Sequence, residues 1–588
     1  MAKPIPNRGA TTLTQAGLAE GFASWRFYLV CALMLCGVVA LLWRVIDLQV
    51  FDKEFLRTQG DLRTIRTETI TAHRGMILDR HGEPLAVSTP VETIWANPQE
   101  VKLDDPKLAA LAQALEMPLA DLKQQFSRSQ HREFIYLRRQ MPPAQARAVT
   151  ALGLPGIYTR QEYRRYYPAG EVAAHLVGFT NIDEKGQEGL ELIYDQWMNG
   201  IDGKKTVLKD RRGYIVKDLN LISDAQPGNN LQLSVDLRLQ YLAYRELKAA
   251  VEAHKAISAN LVMLDAKTGE VLAMVNQPSY NPNNRANLQP AALRNRAVTD
   301  LFEPGSTVKI ITMAAALESG KFTPSTVIDT SPGWMRLNGR TIRDHHNYGD
   351  LDLTGIITKS SNIGTSRIGL ALTGEVLYEM YSRFGFGQAS GIEFPGEGIG
   401  SLPYDRKWAP IRVATLSYGY GLSVTPLQLA RAYSVFANDG KRKPVSLLKG
   451  GHPEPAVPVM APEVAAQVRT MLTTVVEKGG TGTRAAVPFF RVAGKTGTVH
   501  TIGANGYESD QYLSIFAGMA PADDPKVVMV VIIDRPQSGA YYGGEVAAPV
   551  FGRVMAGAMR LLNVPPAPTA TAGRASDAVV ESTGQGRG

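Results

Sequence analysis

The feature that most constrains this chain is one uncharged, strongly apolar run close to its N-terminus. The run extends from Phe27 to Trp43 and is flanked by Arg26 and Arg44. A helix of about 20 apolar residues crosses the hydrocarbon core of a bilayer, and flanking arginines can extend to the headgroups. Because no second run of this kind follows, we predict a single transmembrane helix over residues 26–44.

The charges around this run predict its orientation. Lys3, Arg8 and Arg26 stand against a single acidic residue in the N-terminal stretch, and the positive-inside tendency therefore places residues 1–25 in the cytoplasm and the bulk of the chain outside. A cleaved signal peptide is the alternative interpretation. We favour an anchor, because residues 44–47 lack the small residues of a cleavage site.

The composition describes an ordinary folded chain outside this run. Of 588 residues, 20% are charged and 44% are hydrophobic, which excludes a wholly disordered chain and a polytopic membrane protein. The net charge of +8 is spread along the chain without a dense basic run, so we predict no nucleic-acid partner. Both cysteines, Cys31 and Cys36, lie in the apolar run, and a thiol-free remainder is compatible with an oxidising compartment.

Changes in the residue pattern along the chain predict an α+β multidomain fold. Residues 45–230 are short β-prone runs broken by Gly, Pro and charges, whereas residues 231–563 contain longer apolar strands and helices. Turn residues within 261–274 and 512–533 predict two hairpins, and hence an antiparallel sheet flanked by helices. Residues 564–588 are rich in small and polar residues, which predicts a disordered C-terminal tail.

The first candidate for chemistry is Ser306-x-x-Lys309, where a loop enters an apolar helix. Three residues make just under one helical turn, so the Lys309 amine should reach the Ser306 hydroxyl. A serine at a helix start also lies among backbone N–H groups that can stabilise an oxyanion. To act as a base, Lys309 needs its pKa lowered by about 3 units, through burial and a neighbouring cation.

Two further motifs supply the groups that such a serine would need. Ser360-x-Asn362 offers a hydroxyl that can relay a proton and an amide that can hold a peptide group. Lys495 offers the second positive charge. Taken alone, Ser-Ser-Asn is more often a helix cap.

The third motif continues from Lys495 through Thr496, Gly497 and Thr498. On a strand edge, Gly497 would let a substrate backbone approach, and the two threonine hydroxyls would bind a carboxylate. The same tripeptide at 267–269 falls in a predicted hairpin turn, so Lys-Thr-Gly alone is a weak signal. All three motifs in this order are typical of serine acyl-transferases.

With these motifs the chain resembles the class B penicillin-binding proteins, whose catalytic motifs are also those of serine β-lactamases. The resemblance to the class B non-catalytic pedestal, which β-lactamases lack, is carried by residues 74–86, 165–170 and 189–191. Within the class, the chain is most similar to the division-specific members, at residues 24–27, 85–90 and 418–426. The resemblance implies an elongated, β-rich pedestal followed by a transpeptidase domain.

The resemblance also implies a reaction. Ser306 would attack the D-Ala-D-Ala peptide bond of a peptidoglycan stem while Lys309 takes its proton. Backbone N–H groups of Ser306 and Thr498 would form the oxyanion hole, and Ser360, coupled to Lys309 and Lys495, would return a proton to the leaving D-alanine. An acceptor amine, that of diaminopimelate, would complete the crosslink, and β-lactams would stop at the acyl stage. No metal or cofactor is implied.

Further expectations follow from the resemblance. Tyr507, Tyr541 and Tyr542 fall where family members have an aromatic wall beside the site, although simple packing is the alternative. The implied location is the inner membrane, with a periplasmic catalytic domain at the division septum. The implied partners are a glycosyltransferase of the SEDS family and other divisome proteins.

Several alternatives stay open to different degrees. A β-lactamase is disfavoured, because no Glu-x-x-x-Asn grouping lies between Ser360 and Lys495. A D,D-carboxypeptidase has the same motifs, and an elongation-type transpeptidase differs only in its cellular role. A catalytically inactive scaffold is disfavoured, because all the reactive side chains are present.

Overall fold

The structure is a computed structural model that describes residues 24–55, 58, 64–210, 215–451, 454–503 and 506–566. The chain divides into two compact units. The first contains the residues up to Ile70 together with Asp202–Asp224, and the second contains Thr71–Ile201 and the chain from Ala225 onward. The predicted cytoplasmic segment up to residue 23 and the predicted tail from residue 567 lie outside the described residues.

The two units are built from strands of two to 15 residues and from helices of four to 23 residues. In chain order the strands are β1 (Ile65–Ile70), β2 (Ile77–Leu78), β3 (Pro84–Ala96), β4 (Ile135–Met141), β5 (Ile157–Tyr166), β6 (Phe179–Thr180), β7 (Gly186–Glu188), β8 (Gly203–Lys209), β9 (Ile215–Ser223), β10 (Leu231–Gln232), β11 (Ser258–Asp265), β12 (Val271–Gln277), β13 (Ile328–Asp329), β14 (Trp334–Leu337), β15 (Arg340–Arg343), β16 (Asp350–Leu351), β17 (Lys441–Arg442), β18 (Val457–Pro458), β19 (Ala493–Gly503), β20 (Gly506–Ala520) and β21 (Val527–Asp534). The α-helices are α1 (Ser24–Ile46), α2 (Leu108–Ala114), α3 (Leu119–Arg128), α4 (Pro143–Thr150), α5 (Ala174–Val177), α6 (Gly189–Ile193), α7 (Asp195–Met198), α8 (Leu237–His254), α9 (Arg296–Thr299), α10 (Lys309–Glu318), α11 (Leu353–Lys359), α12 (Asn362–Leu372), α13 (Gly374–Arg383), α14 (Pro410–Ser417), α15 (Pro426–Ala437), α16 (Pro462–Thr473) and α17 (Gly543–Leu561).

The first unit contains the apolar helix α1 and a three-stranded antiparallel sheet in the order β1-β8-β9. Together with the π-helical turn Asp47–Phe51, α1 is long and apolar enough to cross a membrane. Its apolar side chains are exposed, as are those of Cys31 and Cys36, whose thiols are free. A helix whose apolar side chains are exposed on all sides fits a membrane anchor. The predicted single apolar N-terminal helix is confirmed.

The second unit begins with a sheet in the order β10-β2-β3-β4, in which β5 also pairs with β3. Within this part of the unit, a buried carboxylate joins the three segments that resemble the class B pedestal. Glu191 is fully buried and accepts from Arg74 at 2.7 Å and from Arg165 at 2.6 Å. A buried charge must be paired to be tolerated. These three segments, distant in sequence, are therefore held together by one ionic cluster.

The larger part of the second unit is built on a five-stranded antiparallel sheet in the order β12-β11-β21-β20-β19. Strand β11 is buried on both faces: Leu261 and Met263 belong to one hydrophobic cluster with residues of α8 and α17, whereas Val262 and Leu264 belong to another with residues of α9, α10 and α15. Because side chains of a strand alternate between faces, this strand lies between two layers of helices. The prediction of an antiparallel sheet flanked by helices is confirmed.

Both predicted hairpins are present, formed by β11 with β12 and by β20 with β21. The turn at 267–269 is a plain hairpin turn, and Gly269 has the positive φ of 78° that this turn requires. Strand β19, which carries the other Lys-Thr-Gly, is at the edge of the five-stranded sheet. An edge strand has unpaired backbone groups on one side, so it can pair with an extended peptide.

Candidate active site

Ser306 lies in a short 3-10 turn, Gly305–Val308, and helix α10 begins only at Lys309. The turn packs against the edge strand, because a Cβ on Gly497 would come within 2.8 Å of the Thr307 methyl group. On its other side the Gly305 N–H donates to Gly419 O at 3.0 Å. Gly305 has a φ of 52° and leaves no room for a side chain beside Val499. The half-buried Ser306 is thus placed beside β19.

The fully buried Lys309 joins the first motif to the second. Its Nζ donates to Ser360 O at 2.6 Å, to Ser360 Oγ at 3.2 Å and to Asn362 Oδ1 at 2.8 Å. These bonds go to the 360–362 turn, whereas the spacing predicted the Ser306 hydroxyl as partner. In a buried position the polar hydrogens of an amine need acceptors, which the oxygens of this turn supply.

The third motif brings a second buried amine into the site. Lys495 on β19 is fully buried, and its Nζ donates to Thr496 O at 3.3 Å. Burial lowers the pKa of Lys495 to about 7. Burial, followed by the positive charge of Lys495, holds the pKa of Lys309 well below its usual value, against an opposing effect of Asp344. Burial and a neighbouring cation are the two causes that a lysine base requires.

The remaining residues of the third motif have partners inside the protein. Thr496 Oγ1 is 2.7 Å from Thr481 Oγ1, and Thr498 Oγ1 accepts from Gly543 N at 3.0 Å. Gly497 faces the turn that carries Ser306, in a space that a larger residue would fill. Both hydroxyls are held by neighbouring residues, and their binding of a substrate carboxylate stays a prediction.

The three predicted tyrosines fall into two groups. The Tyr507 hydroxyl donates to Glu303 at 2.8 Å, and burial together with this carboxylate raises the pKa of Tyr507, so the phenol stays a donor. Tyr541 and Tyr542 pack against each other with ring centroids 4.4 Å apart, and the Tyr541 ring stacks on Tyr512. Tyr507 is therefore tied to the loop before Ser306.

Two acidic residues near the motifs were not predicted from the sequence. Glu303 accepts from Gly421 N at 2.8 Å as well as from Tyr507. Asp344 accepts from Ser361 Oγ and from the backbone N–H groups of Asn362 and Ile363. Glu303 could have been noticed, since it precedes Ser306 by three residues. Asp344 lies outside every motif and gives no local signal. Among the described residues, no cluster of three or more His, Cys, Asp or Glu side chains could hold a metal ion.

Ser306 lies in a turn that packs against the edge strand, and the site also contains two buried lysine amines and the 360–362 turn. This arrangement is typical of a serine acyl-transferase. Residues 259–556 match the penicillin binding protein transpeptidase domain, and residues 69–233 match the penicillin-binding protein dimerisation domain. The chain belongs to the class B penicillin-binding proteins, as predicted.

Individual relatives within this family show which of its members the chain is similar to. The chain is 45% identical over 551 residues, 93% of each protein, to the peptidoglycan D,D-transpeptidase FtsI of Escherichia coli. It is 38% identical over 551 residues to FtsI of Buchnera aphidicola (subsp. Schizaphis graminum), which covers 93% of this chain and 96% of that one. The crystal structure of penicillin binding protein 3 from Mycobacterium tuberculosis with aztreonam superposes with a TM-score of 0.66 and 30% identity, over 85% of this chain and 98% of that one.

Proposed function

We propose that this chain is a peptidoglycan D,D-transpeptidase that crosslinks stem peptides through an acyl-enzyme on Ser306, in the wall synthesis of cell division. One observation carries the proposal: the Lys309 amine is fully buried against the 360–362 turn, with a lowered pKa, three residues from Ser306. A serine hydroxyl is a weak nucleophile unless a base of this kind activates it. The relatives named FtsI support the same activity.

In the proposed acylation, the neutral Lys309 amine takes the proton from Ser306 Oγ as this oxygen attacks the carbonyl carbon of the D-Ala-D-Ala bond. Backbone N–H groups of Ser306 and Thr498 stabilise the oxyanion. The C–N bond then breaks, and Ser360 passes a proton from Lys309 to the leaving D-alanine amine. The hydrogen bond between Lys309 Nζ and Ser360 Oγ supports this relay.

In the proposed transfer step, the neutral side-chain amine of a diaminopimelate residue attacks the ester carbonyl carbon, Lys309 takes a proton from this amine and returns it to Ser306 Oγ, and the C–O bond breaks as the new peptide bond forms. Lys495, with a pKa of about 7, is partly charged near neutral pH, and with Thr496 and Thr498 it binds the carboxylate of the donor. Asn362 holds the donor's peptide group, and Gly497 lets the donor backbone approach β19. Tyr507, Tyr541 and Tyr542 form the aromatic wall in this proposal.

The acidic side chains beside the motifs favour transfer to an amine over hydrolysis. Glu303 is engaged by Gly421 and Tyr507, and both oxygens of Asp344 are engaged by the turn that follows Ser360. A water needs a general base to attack the acyl-enzyme rapidly. Neither of these two carboxylates is available for that role.

We therefore expect the purified full-length protein to leave nitrocefin essentially uncleaved over many turnovers, while it binds the compound covalently with a stoichiometry near one. Absorbance measures hydrolysis, and intact mass measures the adduct. Rapid catalytic hydrolysis would favour a β-lactamase. A D,D-carboxypeptidase is tested separately, with a D-Ala-D-Ala donor peptide and an excess of acceptor amine: the proposal requires the crosslinked product to exceed the hydrolysed one.

We further propose a single-pass inner-membrane protein, with residues 1–25 cytoplasmic, an anchor at 26–44, a pedestal at 45–230 and a periplasmic transpeptidase domain at 231–563. The positive charges before α1 support this orientation. Its partners would be a SEDS-family glycosyltransferase, which makes the glycan strands, and other divisome proteins. A functional fluorescent fusion should concentrate at midcell, whereas side-wall fluorescence would favour an elongation-type enzyme.

A further inference from the structure

A carboxylate that belongs to none of the three motifs lies directly against the second one. Asp344 follows β15, and its Oδ2 accepts from Ser361 Oγ at 2.5 Å. Its Oδ1 accepts from Asn362 N at 2.5 Å and from Ile363 N at 3.1 Å. These donors are the hydroxyl of the N-cap residue Ser361 and the first two backbone N–H groups of α12, so one side chain holds the start of this helix.

The same short segment also holds the side chain of Asn362. The backbone oxygen of Arg343 accepts from Asn362 Nδ2 at 3.0 Å, which leaves Asn362 Oδ1 to accept from Lys309 at 2.8 Å. Ser360, the other acceptor of Lys309, has a φ of 59°, a conformation that L-residues adopt rarely and that needs support from its surroundings. Residues 343–344 thus orient the groups that hold the amine.

We propose that Asp344 is a positioning residue, whose carboxylate fixes the 360–362 turn and through this turn holds the Lys309 amine in its buried position. This inference rests on the proposed function, because it assigns Asp344 a role in the same acylation step. Hydrogen bonds to a charged acceptor are among the stronger ones in proteins, and three of them on one carboxylate restrict the turn in position and orientation.

The charge of Asp344 has a second consequence. Two charged groups shift the pKa of Lys309, namely Lys495 on β19 and Asp344 in the segment after β15, and the charge of Lys309 in turn contributes to lowering the pKa of His345. Asp344 raises the pKa of Lys309, against burial and against Lys495. If the carboxylate becomes an uncharged amide, the pKa of Lys309 falls further. The acidic limb of the pH profile of acylation is the range in which Lys309 loses its proton and the rate rises. This limb must then move to lower pH.

The test is the rate of fluorescent penicillin labelling of the full-length protein in detergent, measured between pH 5 and pH 9. We expect Asp344→Asn to label about 10- to 100-fold more slowly than wild type, with its acidic limb at lower pH. Asp344→Glu keeps the charge but displaces it, so it should be intermediate in rate with an acidic limb close to wild type. Asp350→Asn, an exposed acid in the same segment, is the matched control and should label like wild type.

A wild-type rate in Asp344→Asn would overturn the inference, as would a slow rate with an unmoved acidic limb, since the latter describes a merely structural residue. If Asp344→Asn does not fold, a wild-type rate in Asp344→Glu would overturn it equally. Ser306→Ala, measured in parallel, separates this failure from failure of the proposed function: the function fails if Ser306→Ala still labels, whatever Asp344 does.

Discussion

Ser306→Ala is expected to abolish covalent labelling by fluorescent penicillin and to leave the protein folded. The hydroxyl oxygen is the atom that would form the ester, and no other group can replace it in that bond. The change removes one oxygen from a half-buried side chain, so the free energy of unfolding should change by about 1 kcal/mol or less. Gel fluorescence measures labelling, and a thermal melt measures folding.

Ser319→Ala is the matched control for this variant. Ser319 lies at the opposite end of helix α10, where its hydroxyl bonds only to nearby backbone. This variant should label at the wild-type rate. If Ser306→Ala labels as strongly as the control, the nucleophile is another residue and the proposed mechanism is wrong.

Lys309→Met and Lys309→Arg are both expected to lower the labelling rate by about 10²- to 10⁴-fold, which is the usual contribution of a general base. Methionine has nearly the same length but cannot take a proton. Arginine keeps nitrogen donors at this position, but a guanidinium stays protonated at every relevant pH, so it cannot serve as the base either. The measurement is the second-order rate constant of acylation.

The pH dependence of the wild-type labelling rate tests the same role of Lys309. Because Lys309 must be neutral, the labelling rate should fall as the pH drops and the amine is protonated. The lowered pKa of Lys309 keeps this amine neutral at pH values well below those at which a lysine ordinarily titrates. Lys267→Met is the control, since Lys267 belongs to the look-alike Lys-Thr-Gly and pairs with Asp524 at the surface. Full activity in Lys309→Arg would exclude lysine as the base.

The features that the sequence predicted correctly depend mostly on residues that are close together along the chain. The apolar run around Cys31 and Cys36 predicted helix α1, because membrane crossing depends on length and hydrophobicity alone. The two hairpins followed from strand alternation and turn residues, which act over fewer than ten residues. Motif order led to the family, which the matches over residues 69–233 and 259–556 confirm.

The resemblance implied that Ser360 is coupled to Lys309, but the spacing within the first motif did not predict this partner of the amine, for a physical reason. Helical spacing placed Lys309 on the same face as Ser306, but Ser306 is in a 3-10 turn and the amine is directed to Ser360 and Asn362. Spacing within one segment describes which side chains are neighbours on that segment. Such spacing does not describe an acceptor about fifty residues away that competes for the same donor.

By itself, then, the sequence determined the apolar N-terminal helix, the alternating strands of the sheet and the motifs that indicate the family, because each depends on neighbours along the chain. Only the tertiary structure decided that Lys309 and Lys495 are fully buried, that Glu191 joins Arg74 to Arg165, and that Asp344 holds the turn after Ser360. Desolvation and ion pairing depend on which distant segments meet in space. The chemistry of these lysines is therefore set by packing.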